Sequence, residues 1–569
     1  MTDREPVGPA GPYAAVLEDM RRRMLRPDEQ NRDELRERIG VLFSGLPRDT
    51  PADDSWLGTA TPDYGWLRAF EHIPRTGADR DLVLGAVAAA LNGQLRQHSL
   101  GTFFNLMPLP LLDAVAAAAV TDLYSPNALW DLVSSGVLDV ERQIVRQLAG
   151  LAGWRPELAG GTFSFGGKAG LIYAIRLGLN RCRPEASRRG LAGGPAPVVI
   201  TTGHNHDSVE MACSLLGLGT EACLRVPVAP GRAVSPRAVE ETVAGLVARG
   251  VPIACVVLSG GNILHNAMDP VHEVADALTR TCRGLSYRPY LHFDTAFGWP
   301  WLFFGDYDFA GNPLGIEEGV LARIEQSTRL VTGVEAADSM TADFHKIGFC
   351  PYSSSVFLAK EDAELRSLHG ETTTPREGAW GDTLVLHHTI EHSRSGAGIL
   401  AAWVALQSVG RTGFQVYLAH MIAISDVFRS LLPGGGYELL NPWATGPTAV
   451  YWPVPPGGPD RFADLRGGDS SPLIERANRY THALYRRLAG LDGKAGASRI
   501  TLGLLPTYER SARGEPIAAL RLLPTSLHHD HSRTAELAGR MVEVKKELDK
   551  TVERGSGWLP DARLYPVPE

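Results

Sequence analysis

Leu291-His292-Phe293-Asp294-Thr295-Ala296-Phe297-Gly298 is an apolar run that ends on a single carboxylate and passes into small residues. It reads as a buried strand that hands one charged side chain to whatever lies at its carboxyl end. A second run, Asp343-Phe344-His345-Lys346, places a lysine 52 residues after Asp294, with a histidine beside it. Together they hold what pyridoxal phosphate chemistry requires. A carboxylate keeps the pyridine nitrogen protonated so that the ring draws electrons from a substrate carbon, and a lysine carries the aldehyde as a Schiff base. Each residue alone has a plainer reading, Asp294 as a turn cap and Lys346 as a solvated surface group. The apolar neighbours Ile347-Gly348-Phe349 and Cys350-Pro351-Tyr352 predict a lowered pKa for Lys346.

Outward from this stretch, between about 130 and 330, short β-branched runs alternate with helical ones, the pattern of parallel strands joined by crossover helices. Val198-Val199-Ile200-Thr201, Ala254-Cys255-Val256-Val257-Leu258 and Tyr290-Leu291-His292-Phe293 are the clearest strands. Ser235-Pro236 starts a helix through Ala248, and Asp269-Pro270 starts another over Val271 to Thr281. Such sheets bind ligands at the carboxyl ends of their strands, where Thr201 to His206, Ser259 to Asn262 and Asp294 all fall. Before this region, helical patterns run from Ala14 to about Leu46 and from Asp79 to Gln97, an N-terminal arm. After it come a helix from Phe414 to Leu432, a Pro/Gly-rich passage and further helix and short strand. The expected organisation is a helical arm over 1–125, a large cofactor-binding domain over 126–410 and a small α+β domain over 411–569.

Three further motifs carry chemistry or its alternatives. Gly160-Gly161-Thr162-Phe163-Ser164-Phe165-Gly166-Gly167-Lys168 runs into a helix, so glycines and first-turn amides are offered to a phosphate; a plain turn before a helix fits equally, and the spacing matches neither common nucleotide loop. His204-Asn205-His206-Asp207-Ser208 follows a strand and offers a ring to stack on a flat cofactor, or simply a helix start. His528-His529-Asp530-His531 has no matching second cluster and reads as a solvated loop, so no metal is expected.

Composition excludes other classes. An apolar fraction of 44% and a charged fraction of 21% are those of a globular protein, and a net charge of -8 argues against nucleic acid as the main partner. No apolar stretch is long enough to span a bilayer, and Met-Thr-Asp-Arg-Glu-Pro lacks signal-peptide features. With six cysteines and no CxxC spacing, a cytoplasmic chain with reduced thiols is expected.

In this order the motifs resemble the group II amino-acid decarboxylases that use pyridoxal phosphate, an α/β family of fold type I (aspartate-aminotransferase-like) with a mainly parallel central sheet, and within it the bacterial tyrosine decarboxylases. The likeness covers about residues 90 to 420. It includes Leu123-Tyr124-Ser125-Pro126-Asn127, Ala337-Asp338-Ser339-Met340, Glu391-His392-Ser393-Arg394-Ser395-Gly396 and the insert with Trp299-Pro300-Trp301. The resemblance implies Lys346 as the Schiff-base lysine, Asp294 at the pyridine nitrogen, His206 stacked on the ring and Ala296 on its other face. Gly166, Gly167 and Lys168 line the phosphate with Asn262 and Ser339, and His345 lies near the departing carboxylate. It implies a homodimer, and decarboxylation of an L-amino acid through an external aldimine and a quinonoid.

Two departures bear on the reaction. The family's mobile loop carries a tyrosine that protonates Cα, whereas no tyrosine occurs here between Tyr352 and Tyr417, and Thr373 or Thr374 stands near the loop position. Oxidative deamination to an aldehyde or carbon-carbon bond formation is therefore the alternative, with a non-catalytic dimeric relative a further one. Gly101-Thr102-Phe103-Phe104-Asn105 replaces a Gly-His-Met-Asn run of tyrosine decarboxylases, so Phe103 and Phe104, with Thr373 and Thr374, are the substrate-wall candidates of a pocket unlike one for tyrosine.

Overall fold

Apolar β-branched runs bounded by Gly, Pro and Asn become strands, and the computed structural model describes residues 11–107, 109, 111–229, 233–369, 385–467, 471–493 and 499–553. In chain order the strands are β1 (Thr102–Phe103), β2 (Gly160–Ser164), β3 (Val198–Thr202), β4 (Cys223–Val226), β5 (Ile253–Ser259), β6 (Tyr290–Asp294), β7 (Ser339–Asp343), β8 (Ser355–Ala359), β9 (Tyr437–Leu439), β10 (Ala449–Pro453), β11 (Thr501–Arg510) and β12 (Pro516–Leu522). Seven of them make one sheet in the order β2-β8-β7-β6-β5-β3-β4. Only β8 opposes its neighbours; the rest run the same way. β5 is buried along its whole length, as a central strand covered on both faces must be. Because β4 and β5 leave β3 on opposite sides, a crevice opens between the carboxyl ends of β3 and β5.

The helix Gly167–Cys182 follows β2 and crosses the sheet. Its small residues Gly170, Ala174 and Gly178 recur every fourth position, so they share one face. A Cβ at Gly178 would overlap the Ala254 carbonyl, and one at Gly170 the Thr341 hydroxyl. This close approach seats the helix against the sheet and sets its N-terminus at the strands' carboxyl ends.

The helix starts read from Ser235-Pro236 and Asp269-Pro270 give helices Pro236–Ala248 and Val271–Thr281. Asp269 itself faces the sheet instead, where its carboxylate accepts from the Val234 and Ser259 amides at 2.8 Å. The arm differs from expectation in detail. Ala14 to Leu46 divides into helices Pro12–Arg23 and Glu34–Gly45, and the next helix spans only Arg80–Ala90. It stops before Gly93, whose φ of 84° is left-handed, and Leu95 then bridges to Trp56.

The second sheet, β1-β11-β12-β10-β9, belongs to the C-terminal part of the chain, yet its edge strand β1 comes from residues 102–103, in parallel register with Thr501 and Leu502. The helix Ala397–Leu431 leads into this part and breaks at Gly410, where φ is 65°. Among the described residues, no helix is long and apolar enough to cross a membrane.

Candidate active site

β7 and β8 are antiparallel, with Asp343 opposite Ser355, so residues 344–354 form a hairpin loop confined to the carboxyl end of β7. Lys346 lies on its first turn, the short helix Phe344–Ile347. Phe344 anchors that turn against Trp299, ring centroids 4.6 Å apart, and Phe349 anchors the far side of the loop against Tyr417 at 4.7 Å. The loop therefore projects its lysine from a packed base.

Lys346 Nζ stands 2.7 Å from Asp343 Oδ2. Asp343 is buried and also accepts a hydrogen bond from the Ser355 hydroxyl. Burial pulls the lysine pKa down, but Asp343, and then Asp294, outweigh it and hold the ammonium above its ordinary value. The lowered pKa expected from the apolar neighbours is thus corrected, because the deciding charge is three residues upstream. Asp294, at the end of β6, is pushed up by burial and by Asp343, against the opposing pull of Lys346, the Ala296 amide and His206. Its Oδ1 accepts from Ala296 N at 3.2 Å.

Of the two histidines after β3, His204 turns inward, with Nε2 3.3 Å from Asp269 Oδ1, while His206 is exposed at the strand ends. The Ser208 amide donates to His206 Nδ1 at 3.1 Å, which leaves the neutral ring's proton on Nε2. Arg225 of β4, which sequence reading missed, holds this loop. It donates to the carbonyls of Thr202 at 3.2 Å and Asn205 at 2.8 Å, to Asp207 at 3.1 Å and to both oxygens of Glu210.

At the helix N-terminus, Gly166 has φ 146° and Lys168 is exposed. A Cβ on Gly167 would stand 3.1 Å from Asp343 Oδ2 and 3.5 Å from Ala296 Cβ, so Gly167, Ala296 and Asp343 border one small space with Lys346 beside it. That cradle, with amides on one side and a lysine and two carboxylates on the other, fits a flat phosphorylated aldehyde. Arg394 braces β2 ahead of it. Its guanidinium donates to Glu141 at 2.6 Å, to Thr162 Oγ1 at 2.7 Å and to the Phe163 and Ala128 carbonyls.

Other sequence candidates lie elsewhere. Ser339 opens β7, four residues below Asp343 and thus about 13 Å down the strand, where it meets buried His292 Nδ1 at 2.8 Å. Asn262 is at the end of β5, but its Oδ1 accepts from the Leu264 and His265 amides and closes its own turn. Phe103 is wholly buried in the C-terminal core between Phe428 and His529, so it is no substrate wall. Phe104 is half-buried, and its carbonyl accepts from Arg521 at 2.9 Å. Arg521, also missed, is buried without a carboxylate partner among the described residues, and burial lowers its pKa to about 10. Thr373 and Thr374 lie outside the described residues. His529 is buried rather than solvated, its ring nitrogens facing the Ser526 and Leu100 carbonyls. Among the described residues, no His/Cys/Asp/Glu cluster could hold a metal.

No protein-family model matches the chain. Among solved structures, that of mouse CSAD superposes with a TM-score of 0.73 at 19% identity, covering 90% of this chain and 98% of that one. The fold is fold type I of the pyridoxal-phosphate enzymes. Curated relatives include the L-2,4-diaminobutyrate decarboxylase of Acinetobacter baumannii, 24% identical over 66% of this chain and 71% of that protein. Another is the enzyme of the same name from Rhizobium meliloti (strain 1021), 25% identical over 59% of this chain. The match spans 61% of the latter's length, less than two thirds.

Proposed function

We propose that the chain is a pyridoxal-phosphate-dependent decarboxylase of an L-amino acid. The observation that carries this reading is the convergence of Lys346, Asp343, Asp294, Ala296 and Gly167 at the carboxyl ends of the parallel strands. When bound, pyridoxal phosphate supplies an electron sink for the pair released as the bond from Cα to the carboxylate breaks. The residues do the rest. Asp343 orients Lys346 Nζ and stabilises its ammonium, so the amine becomes a nucleophile only once that proton is lost. With the cofactor bound, Asp294 would hold a proton at the ring nitrogen, His206 and Ala296 would flank the ring, and the amides of Gly167 and Lys168 would receive the phosphate. His345, a buried ring whose Nδ1 faces the Ser354 carbonyl at 2.9 Å, would lie beside the carboxylate that departs.

The likeness of Ala337 to Lys346 and of the insert with Trp299-Pro300-Trp301 and Gly315 to Glu318 to bacterial tyrosine decarboxylases supports an amino-acid substrate, and the Phe103-Phe104 run, which replaces their Gly-His-Met-Asn, argues against tyrosine itself. A homodimer is part of the same reading. It is supported by large apolar side chains of the N-terminal part left facing solvent, among them Phe43, Leu67, Ile73, Leu82 and Leu112. Borohydride reduction of the cofactor-loaded protein followed by peptide mapping tests the assignment. Label on the Lys346 peptide is expected, and label elsewhere or none contradicts it.

A further inference from the structure

A decarboxylase must return a proton to the carbon that loses CO2, and this chain has no tyrosine in the segment where the resembled family carries its donor. The hairpin loop between Asp343 and Ser355 holds a different one. Tyr352 lies six residues after Lys346, and because the strands at both ends of the loop are paired, it remains at the same strand ends as the lysine. Its ring packs on His345 with centroids 4.7 Å apart, and His345 Nε2 in turn lies 3.8 Å from Asp343 Oδ2, the oxygen that binds Lys346. Tyr352, His345, Asp343 and Lys346 thus form one contiguous set, all supplied by a single loop and its first base pair of residues.

The Tyr352 hydroxyl has no hydrogen-bond partner among the described residues, and the side chain is 62% exposed. The group is therefore uncommitted and in reach of water. Burial and Asp343 raise its pKa while Lys346 opposes them, so at neutral pH the phenol carries its proton. Those are the properties of a general acid that gives a proton in each turnover and recovers it from solvent.

We propose that Tyr352 is the proton donor to Cα after decarboxylation. This rests on the proposed decarboxylase reading. In the step, the bond between Cα and the carboxylate breaks and CO2 leaves. The electron pair left behind forms a bond from Cα to the phenolic hydrogen of Tyr352 as its O–H bond breaks, and the phenolate takes a proton from water. When that proton arrives elsewhere on the cofactor instead, hydrolysis yields a carbonyl compound and leaves the amino group on the cofactor.

Tyr352→Phe keeps the ring against His345 and removes only the proton. With the cofactor-loaded enzyme and an accepted L-amino acid, amine formation is expected to fall about a hundredfold or more, with a carbonyl compound replacing amine relative to CO2. Cofactor affinity, read by fluorescence titration of the apo-protein, and melting temperature are expected to match the wild type. An amine-to-CO2 ratio and rate equal to wild type would overturn the role. So would a rate loss accompanied by equal loss of cofactor affinity or melting temperature, since the hydroxyl would then act by holding the site together and not by giving a proton. Absence of CO2 from the wild type with every amino acid would instead overturn the decarboxylase reading itself, and the role of Tyr352 with it.

Discussion

Asp343 Oδ2 stands 2.7 Å from Lys346 Nζ, one helical turn apart at the end of β7. On the proposed reading, in which Lys346 captures the cofactor, loss of the lysine's proton is expected to set the pH at which capture occurs. Asp343→Asn removes the charge that outweighs burial, so the lysine pKa falls below its present, raised value. The pH midpoint for reconstituting apo-protein with pyridoxal phosphate, followed by Schiff-base absorbance, is expected to move down by about one unit or more. An unmoved midpoint would show that Asp343 does not set it.

Arg225 reaches across the His206 loop from Thr202 to Glu210 with every guanidinium nitrogen engaged. Arg225→Ala frees the loop without touching the cofactor cradle. Cofactor affinity is expected to weaken about tenfold, equivalent to about 1.4 kcal/mol. Arg225→Lys recovers little, because an ammonium cannot reproduce the planar fork. Equilibrium titration of the three apo-proteins decides this, and equal affinities would remove the loop-holding role.

The helix Gly167–Cys182 owes its seat on the sheet to glycine. Gly178→Ala drives a methyl into the Ala254 carbonyl, a backbone atom that has nowhere to go. A loss of about 1–3 kcal/mol is expected by urea denaturation. Gly539→Ala, where a Cβ meets nothing within 4 Å, is expected to lose none and serves as the control.

Acid sensitivity follows from buried imidazoles. Burial lowers His292 to about 3, and burial with His204 and Arg429 lowers His265 to about 4. An unfolded histidine titrates near about 6.5. Above that pH neither state is protonated; below it the unfolded chain takes a proton that the folded one refuses, so stability present at neutral pH is lost as pH falls toward the folded values. Each such group costs about 1.4 kcal/mol per pH unit in that window. Melting temperature measured between about pH 7 and 5 is expected to fall, and His292→Gln to flatten the slope. An unchanged slope would clear His292 as a source.

The sheet and its ligand edge were legible because parallel strands buried on both faces write themselves as unbroken apolar runs, and β5 and β6 end where polar residues begin. Asp294, Lys346 and His206 follow from that edge. The Asp343–Lys346 pair was within reach, since a three-residue separation on a helical turn brings side chains together. Ser339, implied by the resemblance, begins the strand that Asp343 ends and so lies at the opposite end of β7 from Lys346. Phe103 and Arg225 could not be read locally. Phe103 is fixed by pairing with Leu502, and Arg225 by a loop on the neighbouring strand β3, contacts that exist only once the chain has folded.

Incubation of the cofactor-loaded protein with a panel of L-amino acids, with trapping of CO2 and mass analysis of products, tests the account most directly. CO2 together with the matching amine, abolished by Lys346→Ala, is the predicted result. No CO2 from any amino acid by a protein that nevertheless carries the cofactor on Lys346 would contradict it.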